Sequence, residues 1–335
     1  MTDAALAQLS DRLFLVTVLL YALAMLAFAG EQAARRSSRV AEATAAGLSV
    51  RHAAAARTRA MAGGGTTTLD APPQPHVVQP RRSSRAGAAG LLMTAVGVVV
   101  HVGSVVTRGM AADRTPWGNM YEFSSMVALM AVAIFLALVV TGRVDRGLGA
   151  FVMLPAVLYM GLAGTVLYTA AGPLVPALDS YWIKIHVFAA ILASGAFLLS
   201  GVVALLYLLR VRHDGQVAAG GRPRFPVSLG ASLPAARVLD RVTYAVIAFA
   251  FPVWTFAIIA GAIWAEAAWG RYWGWDPKET WSFITWVLYA GYLHARATAG
   301  WKGTKAAWIS VAAAVALVID YYVVNIFVVG LHSYA

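Results

Sequence analysis

The sequence predicts an all-α, polytopic integral membrane protein with about eight transmembrane helices and both termini extracytoplasmic. Three observations predict it. The 335 residues are 60% hydrophobic and only 12% charged, with a mean hydropathy of +0.69; soluble domains carry about 25% charged residues. Eight apolar runs, at roughly 12–30, 87–107, 120–141, 149–170, 182–209, 242–264, 282–299 and 305–330, can each cross about 30 Å of hydrocarbon. Alternating sides along these runs sorts the cations. Twenty of the 26 Lys and Arg fall in 31–86, 142–148, 210–241 and 295–305, and only Arg12, Arg108, Arg114, Lys184, Arg271 and Lys278 fall opposite. The positive-inside rule puts the crowded side in the cytoplasm. The net charge of +11 is therefore topological, and no nucleic-acid partner is expected.

The first run, within segment 1–30, lacks the basic start of a cleaved leader. Asp3 and Asp11 precede it and Glu31-Gln32-Ala33-Ala34-Arg35-Arg36 follows it, so a retained helix is expected. Segment 31–86 is rich in Ala, Arg, Gly, Thr and Pro. It buries too little to fold alone and reads as a flexible basic cytoplasmic linker, with His52 and His76 solvated. Residues 87–335 form the membrane core, in which 213–235 reads as a shorter linker that includes His213. No cysteine is present, which removes disulfides, thiolate ligands and any Cys-x-x-Cys-His attachment site of the chain's own.

Polar groups mark the remaining runs. His101 sits about 10 Å below the outer end of the second run and reads as a buried polar contact. Trp117-Gly118-Asn119-Met120-Tyr121-Glu122 opens the third, with its carboxylate at a helix N-terminus, where the dipole favours it. Tyr181-Trp182-Ile183-Lys184-Ile185-His186 opens the fifth. Between the sixth and seventh runs, residues 264–281 hold Trp264, Trp269, Trp273, Trp275 and Trp281, interleaved with Arg271, Asp276, Lys278 and Glu279. An interfacial aromatic belt accounts for two or three tryptophans spread over several helix ends. Five in one loop, around a Trp-Asp-Pro-Lys-Glu core, suit a flat apolar ligand with polar edges. Asp276 precedes a proline and is expected to fix the turn.

His332, in Gly330-Leu331-His332-Ser333-Tyr334, ends the eighth run on the same side as His186 and the tryptophan loop. Two imidazoles beside an aromatic platform match bis-axial ligation of a haem iron; the alternative is two helix-end histidines bonded to water. A seventh helix entering near 282 puts His294 about 18 Å deep, and Asp320 lies about 16 Å deep on the eighth. Their matched depth fits either a structural His–Asp hydrogen bond or a haem ligand oriented by a carboxylate.

Several separated motifs carry a resemblance. Trp269-Gly270-Arg271-Tyr272-Trp273-Gly274-Trp275-Asp276-Pro277-Lys278-Glu279-Thr280-Trp281 resembles the WWD signature of haem-handling membrane proteins. The Pro-Lys-Glu-Thr-Trp ending, Tyr292-Leu293-His294, the terminal Gly-Leu-His-Ser-Tyr, the 117–122 segment and Tyr-Trp-x-x-x-His at 181–186 resemble the CcsA/ResC branch. That branch is the polytopic subunit of the System II cytochrome c synthase, and some bacterial members are named CcsB. The resemblance covers roughly 90–335.

The resemblance implies a multi-pass protein of the bacterial cytoplasmic membrane that presents haem b, both substrate and bound ligand, on the loop formed by Trp269, Trp273, Trp275, Asp276 and Trp281. His186 and His332 would be its external iron ligands, His294 an intramembrane ligand on the haem path, and Arg271 and Lys278 candidates for the anionic propionates. The chemistry would be thioether formation with an apocytochrome c Cys-x-x-Cys-His site, making the chain a subunit of a cytochrome c haem lyase. A ResB-type membrane subunit and extracytoplasmic thiol-reducing proteins would be its partners. A haem exporter without ligation activity and a haem-containing electron-transfer subunit are the rival classes.

Overall fold

The computed structural model describes residues 2–62, 84–173, 180–298 and 300–332, with side chains omitted at 36 and 38–62. The expected all-α architecture holds: among the described residues there are helices and no strands. The long elements are α1 (Asp3–Ala62), α2 (Arg85–Ala112), α3 (Met120–Val140), α4 (Gly149–Thr165), α5 (Tyr181–Ala218), α6 (Ala236–Trp269), α7 (Pro277–Ala297) and α8 (Thr304–Val318). A π-helical turn, Ile319–Val324, and a last short turn, Asn325–Phe327, extend α8.

Seven of these elements are long and apolar enough to cross a membrane. The eighth, α7, has 21 residues, or about 31 Å of helix, and so has the length. Its composition differs, because Lys278, Glu279, Thr285, Tyr289, Tyr292, His294 and Arg296 interrupt the apolar pattern. Several of these groups find partners inside the bundle, which is why α7 can sit among apolar helices.

The core is built around α5. Its apolar stretch is 78% buried, against 28–44% for the other spans, so α5 is the central helix. It packs on α6, α3 and α8, while α1 packs on α2 and α4. Small residues permit the close approach: Ala189, Ala193, Ala196, Ser200 and Ala204 are all buried on α5. Phe197 stacks on Tyr289 of α7 with ring centroids 3.6 Å apart, fixing α7 against the central helix. Such packing of small residues is how apolar helices associate where lipid competes for the same surface.

Charged clusters tie the two ends. At one end Glu31, 1% exposed, takes Arg35, Arg146 and the Ser84 hydroxyl, joining α1, α2 and the turn before α4. At the same end Arg296 of α7 pairs with Asp240 of α6. At the other end Glu122 accepts from Arg108 Nε at 2.9 Å and Arg114 Nη1 at 2.7 Å.

Two expectations change. The first helix does not stop at residue 30; α1 runs on to Ala62, because the Ala- and Arg-rich sequence beyond 31 consists largely of strong helix formers. Residues 63–83, including His76, and the side chain of His52 lie outside the described residues. The second linker is shorter than expected, since α5 continues to Ala218 and carries His213 with it.

Candidate functional site: two histidines on a shared cavity

The site lies where α6 gives way to α7. Gly270 ends α6 with φ +71, in the left-handed region that favours glycine. Asp276 then caps α7. Its carboxylate accepts from Lys278 N–H, while Glu279 Oε2 accepts from Asp276 N–H at 3.0 Å, a reciprocal capping box. The same Glu279 oxygen accepts from Gly274 N–H at 2.8 Å. These two bonds bracket Trp275, whose φ of 57 is rare for a bulky residue and costs on the order of 1 kcal/mol. The turn is thus overdetermined by its carboxylates.

Asp276 reaches beyond its own turn. It is buried, and its Oδ1 accepts from Leu331 N–H at 2.7 Å while Oδ2 accepts from His332 Nδ1 at 2.9 Å. Burial pushes the carboxyl up, but the bonds from Leu331, His332 and Lys278 more than offset this and hold it below the usual carboxylate range. His332 moves below its ordinary value because burial disfavours the imidazolium, with Asp276 opposing. Gly330 is required here: a Cβ would lie 2.8 Å from Asp276 Oδ1.

His186 is anchored in a parallel way. Its Nδ1 lies 2.7 Å from the Ala257 carbonyl of α6. A carbonyl only accepts, so Nδ1 donates and Nε2 carries the lone pair. The same logic applies to neutral His332 against a carboxylate. Nδ1 anchoring to a carbonyl or carboxylate is the arrangement that orients imidazoles toward a metal. Gly261, one turn after Ala257, makes room for the ring, since a Cβ there would lie 2.7 Å from His186 Nδ1.

Two abutting cavities, of about 130 and 100 Å³, share His186, His332, Lys278, Trp264, Phe123 and Tyr321 as walls. The first extends toward Thr115–Met120; the second extends toward Trp254, Trp273 and Asp320. Ligand pockets typically offer about 300–1,000 Å³, so a porphyrin needs both cavities and some displacement of the walls between them. The donor set fits: two anchored imidazoles, aromatic walls and a cation.

The expected site residues divide. Trp269 meets His332 edge-on with centroids 4.9 Å apart, and Trp264 flanks the same ring at 5.9 Å. Trp273 lines the second cavity and packs edge-on to Trp275, a residue that is 66% exposed. Trp281 is half-buried and lines neither cavity. Of the two cations, Lys278 lines both cavities, whereas Arg271 is exposed and lines neither.

His294 lies elsewhere. It is exposed in the last turn of α7, about 25 Å along the helix from Pro277. The expected pairing with Asp320 does not form. Asp320 belongs to Lys278, whose Nζ donates to the Asp320 carbonyl at 3.1 Å and lies 4.0 Å from its carboxylate. Two offsets add: α7 starts at Pro277 rather than near 282, and Asp320 lies within reach of Lys278 at that start, while His294 is 16 residues, about 24 Å, further along the helix. His101 is a buried polar contact, as expected, with Ser125 Oγ 2.8 Å from Nε2 and Tyr21 Oη 3.3 Å from Nδ1.

Sequence reasoning missed Ala257 and Gly261, which position His186, and the arginine partners of Glu122. The latter left a signal, since Arg108 and Arg114 are two of the six cations on that side of the charge asymmetry.

Fold and site together define a multi-pass membrane protein with two anchored histidines walling one shared pair of cavities. Residues 117–332 match the cytochrome C assembly protein family. The chain is 33% identical to the cytochrome c biogenesis protein CcsA of Gloeobacter violaceus over 286 residues, covering 72% of this chain and 84% of that protein. It is 33% identical to CcsA of Guillardia theta, covering 74% and 85%, and 32% identical to CcsA of Chlamydomonas reinhardtii, covering 72% and 67%. The chain belongs to the cytochrome c assembly protein family, and its role is in cytochrome c biogenesis, which entails handling haem.

Proposed function

We propose that this chain holds haem b between His186 and His332 and presents it, at the extracytoplasmic face of a bacterial cytoplasmic membrane, for attachment to apocytochrome c. The observation that carries the reading is that both rings wall the same cavities and each is anchored through Nδ1. Haem supplies the reactive vinyl groups. Each cysteine thiol of the substrate's Cys-x-x-Cys-His site adds across one vinyl C=C; a carbon–sulfur bond forms and the thiol hydrogen ends on the terminal carbon, with no net oxidation.

The chain contributes position and electrostatics. His186 and His332 orient the ring by gripping the iron, and the substrate histidine replaces one of them. Trp264, Trp269 and Trp273 shield the ring from water. Lys278 meets a propionate by exchanging it for the Asp320 contact. Arg271, outside the cavities, serves a propionate only where the ring edge emerges.

His294, exposed at the far end of α7, is read as an intramembrane ligand completed by a ResB-type subunit packed on that face. Extracytoplasmic thiol-reducing proteins keep the substrate cysteines reduced. Reconstituting the purified chain with its partner, haem and an apocytochrome tests the reading. Covalent cytochrome c in that mixture supports ligation. Haem transfer without thioethers would favour the exporter class, and reversible haem redox without transfer the electron-transfer class.

A further inference from the structure

A second recess lies at the opposite end of the bundle, between the end of α5, residues 222–227 and the first turns of α8, with a volume of about 870 Å³. Its mouth carries Arg212, Arg222 and Arg224, all exposed. None of the three makes a side-chain hydrogen bond or ion pair among the described residues. The neighbouring carboxylate, Asp214, is taken by Arg210 and His213. The segment that carries Arg222 and Arg224 is tied on both sides: Gly221 N–H donates to the Gln216 carbonyl and Ser228 N–H to the Arg224 carbonyl, each at 2.9 Å, and Arg210 Nη1 donates to the carbonyls of Gly230 at 3.1 Å and Leu233 at 2.7 Å. Arg222 and Arg224 are therefore presented by a hydrogen-bonded segment and Arg212 by α5.

Below the mouth the walls become apolar. Leu205, Leu208, Leu209 and Arg212 share one face of α5 by helical spacing, with Leu205 about 10 Å deeper than Arg212. On α8, Thr304 sits at the mouth and Trp308 one turn deeper. Leu205 is 51% and Trp308 58% exposed, so the apolar wall opens sideways, toward the space lipid would fill. Cations above an open apolar wall match an amphiphile with an anionic head.

We propose that this groove binds an anionic phospholipid of the cytoplasmic leaflet, its phosphate among Arg212, Arg222 and Arg224 and an acyl chain along Leu205 and Trp308. The charge asymmetry places this end in the cytoplasm, where anionic lipid and basic pockets meet. Haem shares the anionic, apolar chemistry, but the lining holds no His, Met or Tyr to ligate iron. Neither the ligand nor the residues are those of the haem site.

The test uses the full chain exchanged into vesicles of equal phosphatidylglycerol and phosphatidylcholine, then native mass spectrometry. Wild-type protein should retain phosphatidylglycerol preferentially. The Arg212→Gln/Arg222→Gln/Arg224→Gln variant should lose that preference, each charge removed weakening retention about fivefold. The corresponding triple Lys variant should keep most of it. Equal retention of both lipids by wild-type protein overturns the proposal, whatever the fate of the variants. Displacement of the lipid by inorganic phosphate alone would mark a free-anion site instead. Displacement by haem, with a Soret change absent from the Gln variant, would mark a haem site instead.

Discussion

Asp276 and His332, 56 residues apart in sequence, meet at 2.9 Å through Oδ2 and Nδ1. One carboxylate therefore starts α7, holds the segment after α8 through Leu331 N–H and aims an imidazole at the cavity. The Trp-Asp-Pro sequence and the terminal Gly-Leu-His sequence are two halves of one device.

Removing that carboxylate should separate its tasks. Asp276→Asn keeps one acceptor oxygen but turns an NH2 onto a group that donated to the carboxylate, so stability should fall by about 1–3 kcal/mol, and haem affinity at least about tenfold, the usual cost of losing a ligand's oriented partner. Asp276→Ala should also lose the cap, lowering stability by about 1 kcal/mol more. Thermal melting in detergent and haem titration measure the two effects. Equal haem affinity in wild type and both variants would separate Asp276 from the site.

Lys278 and Asp320 should behave as a coupled pair. Lys278→Met strands a carboxylate that is 4% exposed, so a loss of about 3 kcal/mol is expected. Lys278→Met/Asp320→Leu should regain most of that stability while haem loading stays reduced, because the cation is gone. A double variant no more stable than Lys278→Met would show that the two groups are independent.

His294→Ala should leave protein level and melting unchanged, within about 0.5 kcal/mol, since an exposed side chain with no buried partner is being removed. Haem reaching His186 and His332 should fall if His294 lies on the path. Full haem loading and full cytochrome c maturation in this variant would take His294 off the path.

Sidedness is open to direct labelling, because the chain has no cysteine. An impermeant maleimide on intact cells should label a cysteine at Ala267, which is exposed, and spare one at Gly64. The reverse pattern would invert the topology and, with it, the leaflet of the proposed lipid groove.

Much of this framework was legible because apolar runs and cation asymmetry are properties of composition, independent of how helices meet. Register was not. The apolar pattern starts α7 at 282, whereas the helix starts from a polar cap at Asp276-Pro277. The five-residue offset supplies about 7 Å of the separation; the rest comes from Asp320, which lies level with Lys278 at the start of α7 and not with His294, 16 residues and about 24 Å further along. The shared level of His186 and His332 was legible because each sits beside a helix end. Their anchors were not, since Ala257 and Gly261 act through a backbone carbonyl and a missing Cβ, which no residue type announces.

The central claim is that His186 and His332 hold the iron, and the Soret spectrum of the purified protein, with its partner, tests it most directly. Wild-type protein should carry a bis-imidazole spectrum. His186→Ala and His332→Ala should each lose haem or shift the band, and added imidazole should partly restore both the spectrum and cytochrome c maturation. Unchanged spectra and unchanged maturation in both variants would contradict the assignment.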